Sequence, residues 1–143
     1  MLKVFILEDD PKRLISLRKM LEGHDLHYAK SCNDVTRFEP PYDLILLDHD
    51  LGGRQMEQHE DCGLTFIKLI KDKINPEATI VYHSYNYWGA KQMYEEMNCR
   101  GYKAPYMWRD FIMIIDKMKY WDVEDDAKTA VKEGEVVDDP TSL

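Results

Sequence analysis

The chain has 143 residues, the usual size of one domain, and 44% of them are hydrophobic, which excludes a chain that is disordered throughout. Its 19 basic and 27 acidic residues give a net charge of −8, so it repels nucleic-acid backbones and anionic lipid, and duplex DNA is not an expected partner. No apolar run approaches the about 20 residues that span a bilayer, so no membrane-spanning segment is expected.

Three short apolar runs occur along the chain, and none shows the polar alternation of a half-exposed strand. They cover residues 4–7, 44–47 and 80–82. Weaker strands are expected near 26–30 and 100–104. Unbroken apolar strands of this kind are typical of a parallel sheet that is buried on both faces.

Stretches with apolar residues at helical spacing lie between the strands. They cover residues 14–21, 64–74, 90–97 and 108–115, and a short helix is expected near 32–38. Strand and helix therefore alternate in five βα units. This alternation predicts a doubly wound α/β domain, with a five-stranded parallel sheet and helices on both faces.

Two segments differ in composition from these elements. Residues 124–143 contain seven acidic residues, two lysines and no aromatic residue, so we expect a domain over 1–122 and an acidic, flexible tail over 123–143. Residues 52–62, GGRQMEQHEDC, are polar and join the third strand to the next helix. We expect this segment to be a mobile flap beside the ligand site.

The residues that follow the predicted strands are acidic or histidine: Glu8-Asp9-Asp10, Asp48-His49-Asp50 and His83-Ser84. In open parallel sheets, ligands bind beyond the carboxyl ends of the strands. If the first and third strands are neighbours, about 4.8 Å apart, the carboxylates of Glu8, Asp9 and Asp48 need a counter-charge. Mg²⁺, or Mn²⁺, suits such oxygen ligands and leaves positions for water or a phosphoryl group.

Over residues 2–120 the chain resembles a receiver domain, the phosphoacceptor module of two-component signalling. The stretches KVFILEDDP, YDLILLDHDLGG and CGLTFIKLI carry the resemblance. It implies a flavodoxin-like fold with strand order 2-1-3-4-5 and makes Asp48 the phosphoacceptor. It also implies that Asp9 binds Mg²⁺ directly, Glu8 through water and Asp50 through its backbone carbonyl.

Two positions depart from the receiver pattern. The fourth strand of a receiver ends in Ser or Thr, whereas this chain has His83, with Ser84 one step later. Receivers carry Lys immediately before the proline of the fifth strand, whereas here Ala104 precedes Pro105 and Lys103 comes one residue early, where alternation turns it away. Both departures disfavour switching driven by phosphorylation.

The motifs DHDL at 48–51 and HSYN at 83–86, with no lysine before the proline at 105, are similar to those of the cyclic-phosphate processing receiver domains. This resemblance implies a hydrolytic or phosphotransfer reaction on phosphate. Asp48 would attack or orient water, and His83 would protonate the leaving alkoxide beside a bound Mg²⁺. The expected ligand is a phosphate-containing small molecule or an RNA end.

The remaining candidates for the pocket are Asp10, His49, Ser84, Asn86 and Lys103. Asp10 and Asn86 fit the N-caps of helices at least as well as they fit ligands. His49 alternates away from the pocket unless the chain turns there. Lys103 fits a solvated surface charge. For His83, at the end of the fourth strand, a structural role as a hydrogen-bonded side chain stays open as the alternative to catalysis.

Two other functions stay open. One is a stand-alone signalling receiver, phosphorylated on Asp48, that acts on a separate partner protein. The other is a degenerate receiver-fold adaptor that binds a macromolecule through Tyr85, Tyr87 and Trp88.

The expected location is the cytoplasm. The N-terminal stretch MLKVFILEDD becomes acidic too early for a signal peptide. Cys32, Cys62 and Cys99 are odd in number and lack metal-binding spacing, as expected of free thiols in a reducing compartment.

Overall fold

The structure is a computed structural model that describes residues 1–51 and 62–131, and of 121–131 it describes the backbone alone. The elements are β1 (Lys3–Leu7), α1 (Pro11–Met20), β2 (Asp25–Ala29), a 3-10 helix (Cys32–Arg37), β3 (Leu44–Leu47), α2 (Gly63–Ile70), a 3-10 helix (Lys71–Lys73), β4 (Thr79–Tyr82), α3 (Tyr87–Glu96), β5 (Tyr102–Lys103) and α4 (Arg109–Val131). All four strand pairs are parallel, in the order β2-β1-β3-β4-β5. The predicted doubly wound sheet and its strand order are therefore confirmed.

The apolar runs form the centre of the sheet because both of their faces are covered. Residues 4–7, 44–47 and 80–82 have no exposed surface. One face packs against α1 and α4, through Leu14, Leu17, Phe111 and Ile115. The other packs against α2 and α3, through Phe66, Ile67, Ala90 and Met93. Because side chains alternate along a strand, consecutive residues enter different cores.

The register of the three central strands determines which residues meet at the carboxyl edge. Leu7 pairs with Leu47, and Leu47 pairs with Tyr82, so these strands end at one level. The pattern continues one step further, since the Asp48 amide donates to the Leu7 carbonyl at 3.1 Å and the His83 amide donates to the Leu47 carbonyl at 2.9 Å. The residues that follow the three strands are therefore neighbours.

Some elements differ in detail from the prediction. The short helix near 32–38 is a 3-10 helix, and the fifth strand is only two residues long and exposed. The last helix continues to Val131, past the predicted start of the tail, while residues 132–143 lie outside the described residues. The flexibility predicted for 123–143, and with it the domain boundary, stays a prediction. The flap predicted over 52–62 also lies outside the described residues, except for Cys62.

Among the helices of the described residues, none has the length and apolar character needed to cross a bilayer.

Candidate functional site

Three buried polar side chains meet at the carboxyl edge of the sheet. Glu8, Asp48 and His83 follow β1, β3 and β4, and they are 0%, 3% and 1% exposed. One potential ligand atom from each lies within 4.8 Å of those from the other two. This juxtaposition was predicted from the strand ends, and it brings the two predicted catalytic residues, Asp48 and His83, into one cluster.

The three side chains belong to the sheet face that is covered by α1 and α4. They follow Leu7, Leu47 and Tyr82, which enter the opposite core, so alternation turns them to this side. From α4, the ring of Phe111 meets the His83 imidazole edge-on, with 6.2 Å between centroids. From α1, the side chain of Arg13 enters the same cluster.

Arg13 is a member of this cluster that was not predicted from the sequence. Its Nε and Nη2 donate to the two carboxylate oxygens of Glu8, each at 3.2 Å. Its guanidinium also lies 3.6 Å from Asp48 Oδ2 and 3.8 Å from Asp10 Oδ2. Helical spacing indicates that Arg13 faces the sheet, because it precedes the buried Leu17 by four residues and so shares its helix face. We call Glu8, Arg13, Asp48 and His83 the acidic pocket.

Glu8 is the most heavily bonded member of the acidic pocket. Besides Arg13, the backbone amide of Asp10 donates to Oε2 at 3.0 Å, and Nε2 of His83 lies 2.9 Å from Oε1. Burial raises the pKa of Glu8, but the hydrogen bonds from His83, Arg13 and the Asp10 amide outweigh it and leave the pKa below its ordinary value. Glu8 is therefore an ionised carboxylate, to which the His83 nitrogen donates.

The pKa of Asp48 is shifted in the opposite direction from that of Glu8. Burial raises the pKa of Asp48 to about 6, and the charge of Glu8 acts in the same direction, while His83 and Arg13 oppose it. Its Oδ1 accepts from the His49 amide at 2.9 Å. Its Oδ2 is buried and has no hydrogen-bond partner among the described residues, and the same holds for Nδ1 of His83. Buried polar atoms without partners are costly, so they indicate a place for a ligand.

The donor set fits a divalent cation. Two carboxylates and an imidazole lie close together, and one buried carboxylate oxygen is unsatisfied. Oxygen ligands suit Mg²⁺ and Mn²⁺, and a set that includes imidazole favours the later metals of the first row over Mg²⁺. Of the other predicted metal ligands, Asp9 is half-buried next to Glu8 and Asp50 is half-buried beyond β3, and their roles toward a metal stay predictions.

A second polar cluster lies on the other face of the same edge. The ring of His49 is buried there, and its Nδ1 lies 2.9 Å from Asp50 Oδ1. Asn86 donates to the same oxygen at 3.0 Å, and the Cys62 thiol is hydrogen-bonded to the imidazole. Gly89 of α3 leaves space for the imidazole of His49, because a Cβ at that position would collide with the ring. We call His49, Asp50, Cys62 and Asn86 the His49 cluster.

The hydrogen bonds of the His49 cluster shift the titration of its members. Burial lowers the pKa of His49, but its hydrogen bonds with Cys62 and Asp50 outweigh this and raise it. Burial raises the pKa of Cys62, but the hydrogen bonds with His49 and Thr65 outweigh this and lower it to about 7. No pattern in the sequence pairs Cys62 with His49, because the two residues lie on either side of the segment 52–61.

The remaining predicted pocket residues have local partners. Asp10 is the N-cap of α1 and accepts from the Lys12 amide at 2.9 Å. Asn86 is the N-cap of α3 and accepts from the Gly89 amide, while Ser84 accepts from the Asn86 amide, both at 3.0 Å. The alternative that the sequence analysis gave for the two helix caps is thus confirmed.

Lys103 lies away from the acidic pocket. It pairs in register with Tyr82, and its Nζ lies 4.7 Å from the centre of the Tyr94 ring of α3. Ala104, the next residue, is buried in the core on the α1 and α4 side. Lys103 is therefore turned away from the acidic pocket, as strand alternation predicts, and among the described residues it is the guanidinium of Arg13 from α1 that pairs with Asp48.

A family model described as the cyclic-phosphate processing receiver domain matches residues 5–99 of this chain. The match includes Glu8, Arg13, Asp48 and His83, so it covers the whole acidic pocket. A search of curated protein sequences gave no match.

Solved structures of response-regulator receivers are similar in fold. The response regulator TrrA from Thermotoga maritima in complex with Mg²⁺-BeF has a TM-score of 0.58 and 18% identity, covering 82% of this chain and 99% of that chain. The BeF3-activated DrrB receiver domain has a TM-score of 0.60 and 16% identity, covering 85% and 97%. The non-phosphorylated HemR receiver domain from Leptospira biflexa has a TM-score of 0.60 and 16% identity, covering 81% and 92%.

Proposed function

Because the chain belongs to the cyclic-phosphate processing receiver domain family, we propose that its acidic pocket binds a divalent cation and opens a cyclic phosphate. The substrate class is a phosphate-containing small molecule or an RNA end. The reaction is hydrolysis, or phosphotransfer in which Asp48 itself receives the phosphoryl group. The proposal includes a cytoplasmic location, based on the free cysteines of the chain.

One observation supports this proposal most directly. Asp48 Oδ2 is buried, has no hydrogen-bond partner among the described residues, and lies beside Glu8 and His83. A cation or a phosphoryl group at this position would relieve the cost of the unsatisfied oxygen. The carboxyl edge of an open parallel sheet is also where ligands of such folds bind.

Asp48, His83 and Glu8 have separate roles in the hydrolytic reaction. Asp48 orients a water molecule and accepts its proton as the oxygen attacks phosphorus. A new P–O bond forms, one ring P–O bond breaks, and the leaving alkoxide takes a proton from His83. Glu8 holds the His83 ring in place through the 2.9 Å contact between Nε2 and Oε1. When bound, Mg²⁺ or Mn²⁺ would be held by Glu8 and Asp48, with Asp9 and the backbone carbonyl of Asp50 as the further predicted ligands, and would polarise a phosphate oxygen.

The test is incubation of the protein with Mn²⁺ or Mg²⁺ and 2′,3′-cyclic nucleotides, with products followed by phosphorus NMR. We expect ring opening to a phosphomonoester. Asp48→Asn and His83→Gln should each reduce the rate about 100-fold or more, the usual effect of losing a general acid or base. His27→Gln is the matched control, since it removes another imidazole that lies on the edge strand β2.

The proposal fails if no substrate with a cyclic phosphate, including RNA that ends in one, is opened by a protein shown to bind the cation. It also fails if activity persists unchanged in Asp48→Asn and His83→Gln.

A stand-alone signalling receiver is the second candidate, favoured by the position of Asp48 at the end of β3. Treatment with acetyl phosphate in Mg²⁺ would then add one phosphoryl group, seen by mass spectrometry and abolished by Asp48→Asn. The exposed position of Lys103 and the imidazole of His83 in place of a hydroxyl favour the first candidate.

A further inference from the structure

We propose that Arg13 is the resident counter-ion of the acidic pocket, and that a divalent cation binds Glu8 and Asp48 by displacing its guanidinium. This inference rests on the proposed function, in that it takes the acidic pocket to be a cation site. It assigns Arg13 two alternating positions. In one it neutralises the carboxylates, and in the other it is free to contact the bound phosphate.

All the hydrogen bonds that the Glu8 carboxylate can accept are already formed. Each carboxylate oxygen offers about two acceptor positions. Oε1 already accepts from Arg13 Nε and lies 2.9 Å from His83 Nε2, and Oε2 accepts from Arg13 Nη2 and the Asp10 amide. Glu8 is therefore saturated. It can hold a cation, either directly or through a water molecule that donates to it, only after at least one of these donors leaves.

Arg13 is the donor that can leave at the smallest cost. The Asp10 amide belongs to the backbone at the start of α1 and cannot move without the helix. The ring of His83 is 1% exposed and packs against Phe111. The side chain of Arg13 is 29% exposed and is attached through a flexible stem, so it can rotate toward solvent without repacking the core.

The position of Asp48 supports the same exchange. Its Oδ2 lies 3.6 Å from Arg13 Nη2, close enough for attraction between charges but without a hydrogen bond. Arg13 thus compensates the charge of Asp48 without satisfying the oxygen. A cation of higher charge at the same place would do both, and its repulsion of the guanidinium would be screened little in a buried site.

Two surface groups are placed to receive the displaced guanidinium. Asp10 Oδ2 lies 3.8 Å from Nη1, and the exposed ring of Tyr85 lies 5.8 Å from the guanidinium carbon. A guanidinium held between them remains at the mouth of the pocket. There it can form the bidentate contacts to phosphate oxygens for which arginine is suited.

The experiment measures Mn²⁺ affinity by calorimetry and beryllofluoride binding, as a phosphoryl mimic, in the presence of saturating Mn²⁺. The variant is Arg13→Gln, and the matched control is Lys12→Gln, which removes the same charge from the neighbouring, exposed residue. We expect Arg13→Gln to bind Mn²⁺ at least tenfold more tightly than the unmodified chain and beryllofluoride at least tenfold more weakly. Lys12→Gln should change neither by more than about twofold, because an exposed charge is well screened.

The outcomes separate this inference from the proposed function. If the unmodified chain and Arg13→Gln bind Mn²⁺ equally, the exchange is wrong and the cation site stands. Weaker Mn²⁺ binding by Arg13→Gln also overturns the exchange, because Arg13 would then support the site. If neither protein binds Mn²⁺, the proposed cation site itself is wrong, and the inference falls with it. Thermal unfolding of both proteins in chelator shows whether Arg13→Gln is folded.

Discussion

The acidic pocket and the His49 cluster lie on opposite faces of one sheet edge, and they use similar residue types in different ways. Each contains a buried histidine next to a carboxylate. In the His49 cluster, the imidazole is hydrogen-bonded to the Asp50 carboxylate and to the Cys62 thiol, and Asn86 of α3 donates to the same carboxylate. In the acidic pocket, Asp48 Oδ2 and His83 Nδ1 are buried and have no hydrogen-bond partner among the described residues.

Under the proposed function, this difference separates a structural network from a ligand site. A network whose members satisfy one another stabilises the fold and has little to gain from a ligand. A buried group that stays unsatisfied lowers stability and is retained where a ligand completes it. Composition does not distinguish the two clusters. The clusters differ instead in the number of buried hydrogen-bonding atoms that have no partner among the described residues.

The largest expected effect is that of Glu8→Ala, which removes the carboxylate that joins Arg13 and His83. Its loss leaves the buried His83 imidazole and the Asp10 amide without their acceptor, which costs about 1–3 kcal/mol for each unsatisfied group. We expect the free energy of unfolding to fall by about this amount in urea denaturation, and Mn²⁺ binding to be lost.

The control for Glu8→Ala is Glu96→Ala, which breaks the exposed ion pair with Lys71 at 2.6 Å. We expect it to change stability far less, because exposed pairs contribute little. Equal losses in the two variants would contradict the description of Glu8 as the centre of the acidic pocket.

The second effect concerns Asp48, and its sign depends on pH. The folded-state pKa of about 6 lies above the ordinary 3.8, so the folded protein holds the proton more tightly than the unfolded chain. Stability is then lost as pH rises from about 4 to about 6, by on the order of 2–3 kcal/mol. Asparagine stays neutral, so we expect Asp48→Asn to be more stable than the unmodified chain at pH 7.5 and equally stable at pH 4.

Urea denaturation in chelator at these two pH values checks the prediction for Asp48. Saturating Mn²⁺ should then stabilise the unmodified chain and leave Asp48→Asn unchanged. An Asp48→Asn variant that is less stable at pH 7.5 would mean that the ionised carboxylate is already satisfied in the cation-free protein.

The smallest expected effect is that of Asn86→Ala in the His49 cluster. It removes the N-cap of α3, which costs about 1 kcal/mol, and also one donor to Asp50. Because we consider this cluster structural, Mn²⁺ affinity should stay within about twofold of that of the unmodified chain, a difference of less than about 0.5 kcal/mol. A loss of Mn²⁺ affinity comparable to that of Glu8→Ala would show that the two clusters form one site.

Much of the site was predictable because strand ends are local features of the sequence. Apolar runs ending in Glu8, Asp48 and His83, together with the alternation of strand and helix, predict that these residues meet at one edge. The helix caps Asp10 and Asn86 follow from equally local rules. The part that was missed depends on contacts between elements.

The sequence by itself determined the parallel sheet and the residues at its carboxyl edge, because unbroken apolar runs alternate with stretches of helical spacing along the chain, while the strand order followed from the resemblance to receiver domains. Only the tertiary structure decided that Arg13 supplies the positive charge and that Cys62 pairs with His49. Those contacts depend on how α1 and α2 are rotated over the sheet. Likewise, the sequence cannot show that Asp48 Oδ2 lacks a hydrogen-bond partner, because this depends on the distances to donors from several elements.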